Sequence, residues 1–510
     1  MDTFELVDAV RETLDIDPAT YASKAATEAE FVIEEIHEGT FDNHKSIVGL
    51  EYEFYAVSDG RWRSAGDDRQ YSLSRVPRRL LELIGFEKEL GLHNAEMCTS
   101  PQPLNEHGLR AQKAEVSSRL VAALDCTTAE GMRLVSDGLW TIPPSGESAR
   151  HYLTDSIEEN GVRIATNMSD SVRYHAMANR GEGRITIDAP CVDLDAETVL
   201  PESLITSIQP HYQLRQAIDL PRYFNYAIRV AAPLLALGAN SPFFPPDLYA
   251  ADSSGYDVLD RGYHENRIAV FESVLNSAAD VEKVRFPRDL PDVETAIRRI
   301  VEDATMVPID VTPGNRFDDN FATFRTKHGT YWRWVRPVFD GDSRSKANAR
   351  IEFRPISAQP TVRDSIAFQA AFAGLMEGLT RYEHPVIELP WETARDNFYA
   401  AVEDGIESDL EWITFDGRDT TAVEILYDDL LKQAQAGLES VGVPESDAER
   451  YLDPIRWRVQ NRTTPATWKR TGVRRRLDAG TELDQAIVET QRAYVENQRR
   501  TLIGGTFADW

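Results

Sequence analysis

The alternation of apolar and polar residues along the chain predicts short strands separated by helices. The clearest strand pattern is "SIVGLEYEFYAV", residues 46–57, in which every second residue from Val48 is apolar. Glu51 and Glu53 occupy the alternate positions. Successive side chains of a strand point to opposite faces, so the pattern places both carboxylates on one face and a buried apolar row on the other.

Similar patterns recur along the chain with irregular spacing. Further strands are predicted at "FEKELGLHNAEMCTS", "GMRLVSDGLWTI", "SLITSIQPHYQL", "TYWRWVRPVF" and "NARIEFRPIS". Helical patterns cover residues 1–40, the segment "SRVPRRLLELI", about 105–128, 219–237, 264–276 and 293–304, and nearly all of the chain from 361 onward. The regular βαβ rhythm of a doubly wound fold is missing, which favours an α+β fold around a mostly antiparallel sheet.

The same patterns divide the chain into three segments. Residues 1–40 form an N-terminal helical segment, 41–380 a domain containing the sheet, and 381–510 a helical C-terminal region packed on that domain. The last boundary rests on the change to acidic, less apolar helices after about residue 380.

The two carboxylates on one face of the strand at 46–57 repel each other unless water or a cation compensates their charge. Secluded carboxylates take up protons unless a cation compensates them, and Mg²⁺ and Mn²⁺ prefer such oxygen ligands. The alternative for Glu51 and Glu53 alone is a solvated strand face with both side chains in water.

Other predicted strands also direct polar groups to one face. In "NAEMC", Glu96 shares a face with Cys98, and Glu89 lies seven residues upstream of Glu96. In "SIQPHYQL", Gln209 and His211 share a face. A sheet lined in this way is typical of a site for metal ions and phosphates.

The strand "ARIEFRP" adds Glu352 and Arg354 on its polar face, and Arg336 in "YWRWVRP" can reach the same cavity. Each residue also has a structural alternative. His211 can be a hydrogen-bonded structural histidine, Arg354 can simply neutralise Glu352, Cys98 can be a small buried side chain, and Trp332 and Trp334 can belong to the core.

Composition narrows the function classes. The 510 residues include 84 Asp and Glu against 55 Lys and Arg, a net charge of −29, which opposes binding to nucleic acid or to an anionic membrane. Such an acidic surface is typical of a high-salt cytoplasm, so we expect a halophilic source. Three cysteines without CxxC spacing, no apolar run long enough for a membrane span and an acidic amphipathic N-terminus predict a soluble, cytoplasmic protein.

Phosphate-binding loops of the common kinds are missing. The sequence has neither GxxxxGK[ST] nor a GxGxxG that follows a strand, and it has no GxSxG elbow. A nucleotide bound here would therefore be held by metal ions and arginines.

Five segments, in this order, resemble the glutamate-cysteine ligase type 2 (carboxylate-amine ligase) family: "GLEYEF", "HNAEMCTSPQP", "TSIQPHYQL", "PLLALGANSPF" and "ARIEFRPISAQPT". The resemblance covers about residues 45–380 and continues more weakly into the C-terminal helices. It implies a glutamine-synthetase-like catalytic domain whose antiparallel sheet forms a funnel for ATP and divalent metals.

The resemblance also implies roles for individual residues. It implies metal ligands at Glu51, Glu53, Glu89, Glu96, His211 and Glu352. With ATP bound in that funnel, the residue types make Arg336 and Arg354 candidate catalytic residues, which would stabilise phosphate oxygens or a tetrahedral intermediate. The candidate substrate-binding residues are Arg173, Gln209 and Asn240.

The function implied is an ATP-dependent carboxylate-amine ligase, most simply one that forms γ-glutamylcysteine from glutamate and cysteine through a γ-glutamyl phosphate. ATP and Mg²⁺ or Mn²⁺ are the implied cofactors. The acceptor amine and the oligomeric state stay open, with a homodimer as one alternative. Two other functions also stay open: a metal-dependent phosphohydrolase, and a binding protein that kept the funnel without turnover.

Overall fold

The computed structural model describes residues 2–59, 70–181, 184–279 and 281–510. The strands of these residues are, in chain order, Ile47–Ser58 (β1), Glu87–Lys88 (β2), Asn94–Cys98 (β3), Gln102–Pro103 (β4), Met132–Val135 (β5), Ser156–Glu159 (β6), Val162–Ala165 (β7), Ile185–Thr186 (β8), Asp195–Ala196 (β9), Ile208–Gln213 (β10), Val335–Asp340 (β11), Asn348–Phe353 (β12), Trp412–Ile413 (β13) and Asp419–Thr420 (β14).

The α-helices surround these strands. They are Thr3–Leu14 (α1), Pro18–His37 (α2), Arg78–Ile84 (α3), Glu106–Ala129 (α4), Ala149–Thr154 (α5), Val172–Ala178 (α6), Leu220–Gly238 (α7), Gly255–Arg261 (α8), Asn266–Ala279 (α9), Val293–Glu302 (α10), Ala322–His328 (α11), Val362–Arg381 (α12), Trp391–Asp404 (α13), Val423–Ser440 (α14), Glu445–Asn461 (α15), Pro465–Asp478 (α16) and Leu483–Thr501 (α17).

The main sheet of the described residues has eight strands in the order β11-β12-β10-β1-β3-β2, and β4 and β5 also pair with β1. Every pairing in it is antiparallel. The predicted α+β fold with a mostly antiparallel sheet is therefore confirmed. Strand β1 pairs with β10 on one side and β3 on the other, so its residues occupy the middle of the sheet.

The two faces of β1 differ as the sequence pattern predicts. Residues 48, 50, 52 and 54 are buried, while the positions between them are partly exposed. Helix α12 packs on the buried face: Phe353 of β12 stacks on Phe372 with ring centroids 4.3 Å apart, and Gln369 donates to the carbonyl of Gly49. The apolar face of the sheet thus lies in the core, and its polar face is available to form a functional site.

Helix ends follow local sequence signals. Asp17 caps α2 by accepting from the amides of Ala19 and Thr20, and Pro18 occupies the first helical position. Thr361 caps α12, and its neighbour Asp364 pairs with buried Arg458 of α15 at 2.9 Å. These contacts fix the C-terminal helices against the sheet.

Several predicted elements change in the structure. The single strand predicted at "FEKELGLHNAEMCTS" is wrong, because it splits into β2 and β3, and Glu89 lies between them outside either strand. Strand β5 covers only the start of "GMRLVSDGLWTI". The C-terminal region is helical apart from the short β13–β14 pair.

One hydrophobic core runs through all three predicted segments, from Val10 through Phe54 to Val495. The division at about residues 40 and 380 stays a prediction. Among the described residues, no helix combines the length and apolar character that crossing a bilayer requires.

Candidate functional site

The polar face of the sheet brings the predicted carboxylates together through strand register. Glu51 lies opposite Gln209 of β10 and opposite Cys98 of β3, and Glu53 lies opposite Glu96. Directly opposed residues on antiparallel strands project to the same face. Three glutamates, an amide and a thiol therefore meet at the centre of the sheet.

The other half of the face is built in the same way. His211 of β10 lies opposite Glu352 of β12, and Glu352 lies opposite Arg336 of β11. Arg336 Nε donates to Glu352 Oε1 at 2.8 Å, and Arg354 Nη1 donates to the same oxygen at 2.5 Å. Burial opposes ionisation of Glu352, but the two guanidinium groups and His211 hold its pKa well below the ordinary value. Arg354 therefore pairs with Glu352, as its structural alternative predicts.

Glu51 links the two halves. His211 Nε2 lies 3.1 Å from Glu51 Oε1, while Arg350 Nε donates to His211 Nδ1 at 3.1 Å. Burial acts to raise the pKa of Glu51, but the adjacent His211 brings it below the ordinary value. Arg350 was not among the predicted site residues, although it lies on the same strand face as Glu352.

Glu51, Glu96 and Cys98 each offer a ligand atom, and these atoms lie within 4.8 Å of one another. Burial raises the pKa of Glu96 well above its ordinary value, and the negative charges of Glu51 and Glu89 add to the shift. Cys98 is half-buried rather than the small buried side chain expected, and burial next to Glu96 raises the pKa of its thiol. The group therefore combines crowded carboxylates with a protonated thiol.

Glu53 has a different environment from Glu51. Its Oε2 accepts from the Ser207 amide at 2.7 Å, and its Oε1 accepts from Ser207 Oγ and Gln209 Nε2, each at 2.9 Å. Burial still raises the pKa of Glu53 above its ordinary value. Gln209 Oε1 accepts from Arg354 Nη1 at 2.8 Å, so this amide connects Glu53 to Arg354.

A second acidic group adjoins the sheet. Burial raises the pKa of Glu89 to about 7, with the charge of Glu53 adding to the effect, and raises the pKa of Glu202 to about 8 with a contribution from Glu89. The charge of Arg173 partly offsets both shifts. Glu202, in the 3-10 helix Leu200–Leu204, was not predicted, because nothing in the local pattern distinguishes it from an exposed glutamate. Both carboxyls can exchange a proton near neutral pH.

Two neighbouring hollows open on this face. One, of about 470 Å³, is lined by Arg173, Arg336, Arg350, Glu51 and Glu352 among others. The second, of about 260 Å³, shares Glu51 and Arg350 with the first.

The second hollow also exposes the backbone of β1. Gly49 lines it directly opposite His211. A side chain at Gly49 would occupy part of this space. The two hollows together form a cleft that combines cationic and carboxylate side chains.

Asn240 does not join this cluster. It is fully buried, and its amide donates to the carbonyl of Ala358 at 2.8 Å and to Tyr494 Oη at 2.9 Å. Its backbone carbonyl accepts from Lys469, and that lysine pairs with Asp137. These contacts connect the core to α16 and α17, so the substrate-binding role of Asn240 stays a prediction that its contacts do not support.

The two tryptophans belong to the core, which is the structural alternative given for them above. Trp332 and Trp334 are buried in the core, and Trp334 packs on Phe271 with ring centroids 5.5 Å apart. They provide no stacking surface in the cleft.

Comparison with solved structures gives several matches of low sequence identity. A glutamate-cysteine ligase from Francisella tularensis in complex with AMP is 12% identical over 91% of each chain, with a TM-score of 0.46. A bifunctional glutathione synthetase from Pasteurella multocida is 13% identical over 92% of this chain and 54% of its own, with a TM-score of 0.48. A chain of the complex between the prokaryotic ubiquitin-like protein Pup and its ligase PafA is 12% identical over 87% of this chain and 71% of its own, with a TM-score of 0.39.

Comparison with curated protein sequences gives no significant match. The model of glutamate-cysteine ligase family 2 (GCS2) matches residues 47–494, which include every strand of the cleft. The chain therefore belongs to glutamate-cysteine ligase family 2 and is an ATP-dependent ligase that joins a carboxylate to an amine through an amide bond.

Proposed function

We propose that this ligase forms γ-glutamylcysteine from glutamate and cysteine through a γ-glutamyl phosphate. The observation that carries the proposal is the shared sheet face on which Glu51 and Glu96 adjoin the ion-paired group of Glu352, Arg336 and Arg354. Family membership supports the reaction class, and the choice of cysteine as acceptor rests on the family alone.

The donor set fits a hard divalent cation. Glu51 and Glu96 bring carboxylate oxygens within 4.8 Å of each other. Burial and the charges of neighbouring glutamates raise the pKa of Glu96, so a cation bound here would stabilise its ionised form. Carboxylate oxygens and an imidazole suit Mg²⁺ or Mn²⁺. Glu51, Glu96, His211 and Glu352 would hold the ions, which when bound neutralise charge on the nucleotide phosphates. Glu53 and Glu89 remain proposed ligands, with Glu53 already accepting three hydrogen bonds.

Arg354 and Arg336 would act on the charge that develops during transfer. Arg354 Nη1 is fixed by Gln209 and Glu352, while Arg354 Nε is buried and has no hydrogen-bond partner among the described residues. A buried donor without a partner is costly unless a ligand satisfies it. We therefore assign Arg354 Nε to an oxygen of the transferred phosphoryl group or of the tetrahedral intermediate.

The remaining residues would orient the substrates. Arg173 lines the larger hollow of the cleft and offers a guanidinium for a substrate carboxylate. Gln209 touches both Glu53 and Arg354, so its role would be to position those groups.

Amide formation requires an activated carboxylate and a group that accepts the proton of the amine. A free carboxylate has no adequate leaving group, and transfer of the ATP γ-phosphoryl group to the glutamate side chain supplies one. The amine then displaces phosphate and loses a proton. Glu202 and Glu89, with pKa values of about 8 and 7, are carboxyls of suitable proton affinity beside Arg173.

The test is ADP release by the purified protein with ATP, a divalent cation and glutamate, measured with and without cysteine. Stimulation by cysteine, with γ-glutamylcysteine identified by mass spectrometry, would establish the reaction. A panel of other amines in parallel identifies any different acceptor. Equal ADP release without an amine would contradict the ligase reaction and favour the phosphohydrolase.

A further inference from the structure

A separate hollow, of about 390 Å³, lies outside the cleft formed by the two hollows on the sheet and is rich in arginine. Its lining includes four arginines, Arg285, Arg288, Arg299 and Arg333, together with the ring of Tyr331. None of its lining residues belongs to either hollow on the polar face of the sheet. The concentration of cations is unexpected in a chain of net charge −29.

The cations in and beside this hollow outnumber its carboxylates. Its lining carries three carboxylates, Glu282, Glu302 and Asp303, against its four arginines and the adjoining Lys283 and Lys327. Asp303 accepts from Arg333 Nη2 at 2.8 Å and also pairs with buried Lys283. A further buried lysine, Lys327, donates to the carbonyl of Asp303 at 2.6 Å. Burial, together with the charge of Lys283, lowers the pKa of Lys327 to about 8. One carboxylate is thus shared between two cations, with a third cation directly behind it.

Two of the arginines have no carboxylate partner among the described residues. Arg299 Nη1 donates to the carbonyl of Arg288 at 2.9 Å, and the guanidinium of Arg288 lies 4.4 Å from the ring centroid of Trp391. Arg285 has only its neighbour Glu282, at 3.6 Å. These contacts leave Arg288 and Arg299 without a described carboxylate at ion-pair distance, while Asp292 at the start of α10 interacts with Arg299 only through its charge.

Arg333 and Tyr331 form the rigid floor of the hollow. Both are buried, and the guanidinium of Arg333 lies 4.3 Å from the ring centroid of Tyr331. The backbone of Arg333 also bridges to that of Arg285, which fixes the spacing between these two lining residues. Planar guanidinium groups held in this way suit carboxylate and phosphate oxygens.

We propose that this hollow is a binding site for a small polyanion that carries two or more carboxylate or phosphate groups. The four arginines and two lysines face three carboxylates, so a single anionic group would leave positive charge uncompensated. A ligand with two anionic groups can contact Arg288 and Arg299, which have no carboxylate of the described residues within ion-pair distance, and also Arg285, which lines the same hollow. The site is independent of the proposed reaction, because it shares no residue with the carboxylate cleft.

The test is isothermal titration calorimetry of the full chain with citrate and, separately, with pyrophosphate, in metal-free buffer of about 0.1 M salt. We expect wild-type protein to bind at least one of them with a dissociation constant below about 1 mM. Tighter citrate binding indicates a polycarboxylate ligand, and tighter pyrophosphate binding indicates a phosphorylated one.

The decisive variant is Arg288→Gln combined with Arg299→Gln, which should weaken binding by at least about tenfold. Neither substitution removes an ion pair, so the fold should be retained, and the single variant Arg285→Gln provides a second test. The matched control is Arg298→Gln, an exposed position on the same helix α10 that does not line the hollow. The proposal is wrong if wild-type protein binds neither anion at about 10 mM, or if the double variant binds as tightly as the control.

Discussion

Glu53 of β1 and Glu96 of β3 lie directly opposite each other on neighbouring antiparallel strands. Like charges in such a pair destabilise a sheet. Burial raises the pKa of both carboxyls, so the folded chain retains protons there that the unfolded chain releases. The opposed carboxyls therefore lower the stability of the sheet, but they bring several oxygen ligands together.

Glu96→Gln should separate these two effects. The amide cannot ionise, so folding no longer requires the carboxyl of Glu96 to take up a proton, and at pH 8 we expect the free energy of unfolding of the metal-free protein to rise by about 1 kcal/mol. Turnover should fall by at least about 100-fold, because a proposed metal ligand is lost. Chemical denaturation and ADP release measure the two quantities.

The control for this variant is Glu130→Gln, an exposed glutamate at the end of α4. It should change neither stability nor turnover. A Glu96→Gln protein that keeps wild-type turnover would contradict the role of Glu96 in the site.

Arg354→Lys tests the two-sided contact of the guanidinium. One Nη1 atom donates to Gln209 and Glu352 while Nε is free for substrate, and an ammonium group cannot reproduce this fork. We expect kcat to fall by about 100-fold or more, equivalent to about 3 kcal/mol of transition-state stabilisation, with an unchanged melting temperature.

The comparison variant is Arg79→Lys, an exposed position in α3, which should keep wild-type kinetics. A purely structural role for Arg354 predicts the opposite result, with a lowered melting temperature and a nearly normal kcat in the protein that remains folded.

Divalent cations should stabilise the protein without nucleotide. Binding to the folded state alone adds RT ln(1 + [L]/Kd), or about 2.7 kcal/mol at a hundred times the dissociation constant. We expect Mg²⁺ or Mn²⁺ to raise the melting temperature of wild-type protein and EDTA to reverse the effect.

The same titration with Glu51→Gln should show little or no increase, because Glu51 belongs both to the group with Glu96 and to the contact with His211. An unchanged increase in this variant would place the cation elsewhere. Glu130→Gln again serves as the control, with the wild-type increase.

Glu272 provides a pH-dependent prediction away from the cleft. Burial raises its pKa from 4.5 to about 7, while its Oε1 accepts from Trp334 Nε1 at 2.7 Å and from Tyr399 Oη at 2.9 Å. The folded chain therefore keeps a proton on Glu272 between about pH 4.5 and 7 that the unfolded chain releases, so this residue's contribution to stability declines as pH rises through that window.

Glu272→Gln removes the titration, and the amide oxygen can still accept both hydrogen bonds. We expect the variant to exceed wild-type stability by on the order of 1 kcal/mol at pH 8 and to show little gain at pH 4. Denaturation curves at both pH values measure the difference. The same gain at both pH values would show that the proton on Glu272 is not involved.

Local sequence determined which side chains share a strand face. The two-residue period of a strand is sufficient to place Glu51 with Glu53, and Glu352 with Arg354, away from the apolar core. The family motifs also indicated the reaction class, because segments that match the family follow one another in order along most of the chain.

Only the tertiary structure decided which strands are neighbours. Register across β1 sets Glu53 opposite Glu96, which is 43 positions away along the chain, and such pairing depends on contacts distant in sequence. The same reason explains why Glu202 was missed, why Glu89 lies outside a strand, and why Asn240 lies in the core. Burial and proximity arise only when the chain has folded, and these two quantities set the charge state of each carboxyl in the cleft.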